Sequence, residues 1–149
     1  MEDNTTALRL LMVEDTLEDA ELILHQLRGA GYELAYERVE TAAGLEAILR
    51  RSEWDLVISD YVLPGFSGLE ALAIVRKAAP YLPFILVSGV VDEDLGVETM
   101  RLGAQDYISK RNTGRLLPAI RRELCEAVER RKASELQRKL DAETLVVER

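Results

Sequence analysis

At 149 residues, 48% hydrophobic and 31% charged, the chain has the length of one folded domain with a small appendage and is not a disordered polymer. The net charge of −8 is uneven, with 20 acidic and nine basic side chains in residues 1–110 against seven and ten in residues 111–149, so the body repels nucleic-acid phosphates and suits a cation. The longest apolar stretch, YLPFILVSGVV, is broken by Pro83, Ser88 and Gly89 and is too short to span a bilayer, and the acidic opening MEDNTTALRLL is no signal peptide.

In chain order, the first strand is expected over residues 9–14 (RLLMVE), leading into Glu14 and Asp15. A helix over 17–28 puts Ala20, Leu24 and Leu27 on one face and stops at Gly29 and Gly31. Strand two covers 33–39 (ELAYERV), and helix two covers 42–51 with Thr41 as its N-cap. Strand three, 55–60 (DLVISD), ends on Asp60 and runs straight into a Pro-Gly turn. Helix three, 69–79, follows Ser67 and ends before Pro80; strand four is 83–88 (PFILVS). Helix four, 93–102, is closed by Gly103, and strand five is 106–110 (DYISK).

Three of these strands are continuously apolar, as strands buried on both faces must be. The alternation predicts an α/β fold: a doubly wound, five-stranded parallel sheet with right-handed crossovers.

From Arg115 the helical pattern continues through Leu116, Ile120, Leu124, Val128, Leu136, Leu140 and Val147, without proline after Pro118 or glycine after Gly114. A helix that long outreaches the domain, at about 1.5 Å per residue. Its distal half frays in solvent, pairs with its copy, or leads into another domain. A body over residues 1–128 and a helical extension over 129–149 are expected, and Arg149 reads as a point inside something longer. Cys125, the single cysteine, cannot form an internal disulfide and is expected to pack, and His25, flanking the apolar face of the first helix, is expected at the surface or in boundary packing rather than in phosphotransfer.

An ionised carboxylate at the tip of a buried strand is costly unless a site requires it. In an open parallel sheet, ligands collect at the carboxyl ends of the strands. This sequence places Glu14, Asp15, Asp60, Ser88 and Lys110 there. Three acids in one crevice repel one another, and a hard dication with oxygen ligands relieves the repulsion; Mg²⁺ fits, with Mn²⁺ as a substitute. Asp15 and Asp60 would bind it directly, the main-chain carbonyl of Val62 would complete the protein ligands, and Glu14 would act through water. Asp60 beside such an ion has the makings of a nucleophile in phosphoryl transfer. Lys110 would then neutralise phosphoryl charge and Ser88 donate a hydrogen bond.

The stretches VEDTLEDAEL, SDYVLPGFSGLEAL, FILVSG and GAQDYISK stand in an order and spacing that resembles the receiver domain of two-component response regulators, over about residues 8–128. The resemblance implies the flavodoxin-like (βα)5 sheet with strand order 2-1-3-4-5. It implies phosphorylation of Asp60 by a phosphohistidine on a sensor histidine kinase or phosphotransfer protein in the cytoplasm, and a signalling role rather than that of a turnover enzyme. It also implies that Ser88 moves toward the phosphoryl group and that Tyr107 changes rotamer, repacking the face of helix four, strand five and helix five. A homodimer through that face or through the C-terminal helix is an open alternative. One departure is Arg111, where the family usually carries proline after the lysine of strand five.

Three rivals are weighed against this. A haloacid-dehalogenase phosphatase also uses a strand-end aspartate but wants an acid two residues on, and position 62 is Val. A flavodoxin needs a phosphate-cradling loop after strand one, where EDTLED would repel phosphate. A degenerate receiver that binds partners without phosphorylation would not need the full acid set.

Overall fold

The computed structural model describes residues 6–89, 93–110 and 113–147. Among these residues seven strands and five α-helices follow in chain order: β1 (Thr6–Val13), α1 (Leu17–Gly29), β2 (Tyr32–Val39), α2 (Ala42–Arg51), β3 (Leu56–Asp60), β4 (Val62–Leu63), β5 (Phe66–Ser67), α3 (Gly68–Ala78), β6 (Phe84–Ser88), α4 (Glu93–Arg101), β7 (Asp106–Ser109) and, after one 3₁₀ turn (Thr113–Arg115), α5 (Leu116–Val147). The main sheet has the order β2-β1-β3-β6-β7, with every pairing parallel. Since β6 and β7 are the fourth and fifth expected strands, this is the 2-1-3-4-5 order.

Side chains alternate across the sheet with the period of two that a strand imposes. Leu10, Met12, Ile58, Ile85 and Ile108 face one layer, where Ala20, Ile23, Leu24 and Leu27 of α1 meet Leu116, Ala119 and Ile120 of α5. Leu11, Val13, Val57, Phe84 and Leu86 face the other, against Leu45 and Ile48 of α2 and Ala71, Leu72 and Val75 of α3. Burying each such side chain contributes about 1.5–3 kcal/mol, so β1, β3 and β6 are held rigidly from both sides. The helix starts follow their caps: Thr41 accepts from the Gly44 amide at 3.0 Å and Ser67 from the Glu70 amide at 3.2 Å.

Two features differ from the sequence expectation. The first strand begins at Thr6 rather than Arg9, because the whole of β2 pairs with it in register from Tyr32. The Pro-Gly turn after Asp60 is a small antiparallel hairpin, β4-β5, with Gly65 at φ +77, a conformation that glycine adopts without steric cost. The hairpin delivers Gly68, where any Cβ would come within 2.5 Å of the Asp60 carbonyl oxygen, so α3 starts directly against the end of β3.

The last helix runs 32 residues, about 48 Å, with Pro118 tolerated in its first turn. It packs through Ala127 on the α1 layer, while Leu136 and Leu140 beyond are exposed. Cys125 is exposed on it, not packed as expected. His25 is exposed on α1. Among the described residues no helix is long and apolar enough to cross a membrane.

Candidate functional site at the carboxyl edge of the sheet

Strands β1, β3, β6 and β7 all point their carboxyl ends at one rim, and their last residues build the site. Glu14, one residue past β1, is 3% exposed, and its amide donates to the Val39 carbonyl at 3.1 Å. Asp60 ends β3 with its side chain 11% exposed. Its Oδ1 accepts from the Tyr61 amide at 2.8 Å and its Oδ2 from Lys110 Nζ at 3.1 Å, so both oxygens are oriented. Glu14, Asp15 and Asp60 each offer a carboxylate oxygen, all within 4.8 Å of one another. That spacing suits a shared oxygen-liganded ion, and the donor set is hard throughout.

Lys110 follows β7, its amide donating to the Ser88 carbonyl at 2.7 Å, and its ammonium lies among the acids. Nζ donates to Glu14 Oε2 at 3.2 Å, Asp60 Oδ2 at 3.1 Å and Asp19 Oδ2 at 2.6 Å. Burial alone would pull the Lys110 pKa down, but the bonds to Asp19 and Asp60 and the charges of Asp60 and Glu14 outweigh it, and the pKa is raised. Glu14 moves the other way for a carboxylate: burial pushes its pKa up to about 7 and the Asp60 charge adds to this, against the Thr16 amide bond and Lys110. Among the described residues Glu14, Asp19 and Asp60 bond one ammonium while Asp15 adds a fourth carboxylate beside them, an imbalance that a dication would correct.

Ser88 ends β6, one residue past the partner of Asp60 in the ladder, and is 1% exposed. Tyr107 lies in β7, half-buried against the α2–α3 layer, with its ring beside Gly96 of α4. Val62 stands in the hairpin two residues past Asp60, its side chain exposed. The expected residues Glu14, Asp15, Asp60, Ser88 and Lys110 therefore share one rim, with Tyr107 on the adjoining face. Arg111 lies outside the described residues, and with it the departure noted above.

Two participants were missed from the sequence. Asp19 makes the shortest bond to Lys110, and its signal was available: in EDTLED it lies one helical turn after Asp15. Arg38 of β2 donates to the Glu14 carbonyl at 3.0 Å and to Glu40 at 2.6 Å, fixing the chain just past β1; nothing local in the sequence marks it.

Comparison with known proteins agrees with this architecture. The family model described as response regulator receiver domain matches residues 10–121. The response regulator protein FleR of Pseudomonas aeruginosa is 36% identical over 104 residues, covering 70% of this chain and 22% of that protein. The transcriptional regulatory protein DltR of Streptococcus agalactiae is 40% identical over 105 residues, covering 69% of this chain and 45% of that one. The chain thus spans less than half the length of these curated relatives. Among solved structures, NtrX from Brucella abortus superposes with a TM-score of 0.77 at 28% identity, over 89% of this chain and 30% of that one. A putative response regulator from Chloroflexus aurantiacus gives 0.72 at 27%, over 80% and 99%. With the sheet order, the acid rim and a family match over most of its length, the chain belongs to the response regulator receiver domains of two-component signalling.

Proposed function

We propose that Asp60 is the phospho-acceptor, taking a phosphoryl group from a phosphohistidine on a sensor histidine kinase or phosphotransfer protein in an Mg²⁺-dependent step. The observation that carries this is the 3.1 Å bond from Lys110 to Asp60 inside a group of three carboxylates close enough to share one ion. Glu14, Asp15 and Asp60 would hold Mg²⁺, or Mn²⁺ in its place, with the Val62 carbonyl as a further ligand. Bound there, the ion supplies positive charge to the phosphoryl oxygens.

The remaining work falls to the chain itself. The Asp60 carboxylate, oriented by the Tyr61 amide, bonds to phosphorus as the donor's phosphorus–nitrogen bond breaks, leaving an acyl phosphate. Lys110, kept protonated by its carboxylates, faces the incoming charge. Ser88 donates a hydrogen bond to a phosphoryl oxygen. The product adds about −1.5 to −2 charges and three acceptor oxygens at this rim. Lys110 then redistributes its bonds away from Glu14 and Asp19, and Tyr107 follows, repacking the face of α4, β7 and α5.

The chain transfers the group to itself and is not a turnover enzyme. Residues 1–128 form the receiver, and residues 129–149 carry its state to an output domain or to a second copy, through exposed Leu136 and Leu140 or through the face of α4, β7 and α5. The phosphohistidine donor makes the location cytoplasmic. Phosphorylation-independent binding by a degenerate site has no support, since every residue that the chemistry needs is present.

Incubation with Mg²⁺ and acetyl phosphate, followed by intact mass measurement, tests this. One phosphoryl group per chain is expected, absent in Asp60→Asn and absent with excess chelator. Equal labelling of Asp60→Asn would reject the assignment.

A further inference from the structure

Lys110 has two kinds of carboxylate partner. Glu14 and Asp60 belong to the group of acids close enough to share an ion, whereas Asp19 stands outside that group, in the first turn of α1. Yet Asp19 makes the shortest bond to Nζ, 2.6 Å against 3.2 Å for Glu14 and 3.1 Å for Asp60. An ammonium carries three N–H donors and accepts nothing, so three carboxylates use all of them. A phosphoryl oxygen arriving on Asp60 is met by Lys110 only when one of these partners lets go.

Burial decides which one. The Glu14 side chain is 3% exposed, and a polar group sealed from water gives up its partner only at high cost; Asp60 is the reacting group itself. The Asp19 side chain is 36% exposed, so water replaces Lys110 there easily. The helix beneath it is held by Ala20, Ile23 and Leu24 in the core. Gln26, two turns further on, donates to Thr113 at 2.9 Å, so the chain after Lys110 stays tied to α1 whichever acid the ammonium bonds. An acid in the first turn of α1 also suits the helix dipole, but exposed Glu18 beside it meets that need equally. The dipole leaves the bond to a lysine 91 residues away unexplained.

We propose, resting on the reading of Asp60 as the phospho-acceptor, that Asp19 is a positioning residue: the exchangeable partner of Lys110, which competes with the phosphoryl oxygens for the ammonium and so sets how readily the site takes up its phosphoryl group. In the resting chain Asp19 keeps Nζ beside Asp60. On uptake one N–H passes from the Asp19 carboxylate to a phosphoryl oxygen, and water takes its place on Asp19. Only hydrogen bonds are exchanged, and Lys110 stays protonated throughout.

Two measurements on the full chain test this, with circular dichroism verifying the fold of each variant. The chain has only four lysines, so the Lys110 ammonium is readily assigned by heteronuclear NMR. Without phosphodonor, Asp19→Asn should shift its signal and speed its proton exchange, while Glu18→Gln, which removes a neighbouring exposed charge, should leave both as in the parent. With Mg²⁺ and acetyl phosphate, Asp19→Asn should take up the phosphoryl group about two- to fivefold faster in a time course of intact mass. Asp19→Glu, which restores a carboxylate, should bring the rate back toward that of the parent, and Glu18→Gln should not raise it. An unmoved Lys110 signal in Asp19→Asn, uptake no faster than the parent's, or equal acceleration by Glu18→Gln would each overturn the proposal. With Asp60→Asn unlabelled, those results strike the role of Asp19 alone; labelling of Asp60→Asn would strike the acceptor assignment and the role of Asp19 with it.

Discussion

Met12 and Ile58 are buried on one face of the sheet among apolar neighbours, while Glu14 and Asp60, two residues further along the same strands, share a crowded rim with two more carboxylates and one lysine. The interior obeys the hydrophobic rule and stabilises the fold. The rim breaks it, since burial and like charge push Glu14 up to about 7. Rigid packing on both sides of β1 and β3 is what holds the acids together in spite of their repulsion. Stability generated in one region is spent on preorganisation in the other.

Changing each region separately should have different consequences. The largest effect is expected at the rim: Lys110→Ala removes the cation that bonds Asp60 among the described residues and should slow phosphoryl uptake from acetyl phosphate about 10²–10³-fold. A time course of intact mass measures this, and a rate near that of the parent would show that the ammonium is a bystander. In the interior, Leu10→Ala opens a cavity at a fully buried position and should cost about 2–5 kcal/mol in urea unfolding. The folded fraction should still take up its phosphoryl group, whereas loss of uptake without loss of stability would blur the distinction between the regions.

The third effect is smaller and depends on pH. A carboxyl whose pKa rises from 4.5 to about 7 on folding binds its proton more tightly in the folded state. Its contribution is therefore complete below pH 4.5 and is lost as pH rises toward 7, by about 3 kcal/mol at most. Metal-free protein should melt at lower temperature at pH 8 than at pH 5.5, Glu14→Gln should flatten this slope, and Mg²⁺ should stabilise the parent more at pH 8. An unaltered slope in Glu14→Gln would place the titration elsewhere.

Much of both regions was legible in the sequence because each rests on local or periodic signals. Continuous apolar runs at residues 10–13, 56–58 and 84–87 marked the central strands, and Thr41 and Ser67 marked helix starts that their side chains do cap. The acids and the lysine were visible because each stands at the end of a strand or within two residues of it. What escaped notice depends on partners distant in the chain. Asp19 matters because Lys110, 91 residues away, reaches it, and Arg38 because it crosses to the end of β1. The hairpin after Asp60 was hidden because two-residue strands carry no periodicity; the Pro-Gly pair gave only the turn.

The account stands most directly on where the phosphoryl group goes. An acyl phosphate on aspartate is reduced by borohydride to homoserine, so protein treated with Mg²⁺ and acetyl phosphate, then reduced and digested, carries a mark at the modified residue. Mass spectrometry of the peptide spanning residues 52–76 should find homoserine at position 60, and none at Asp15 or Asp19 in theirs. Homoserine at either of those positions, or no reduction product while the intact mass still rises, would contradict it.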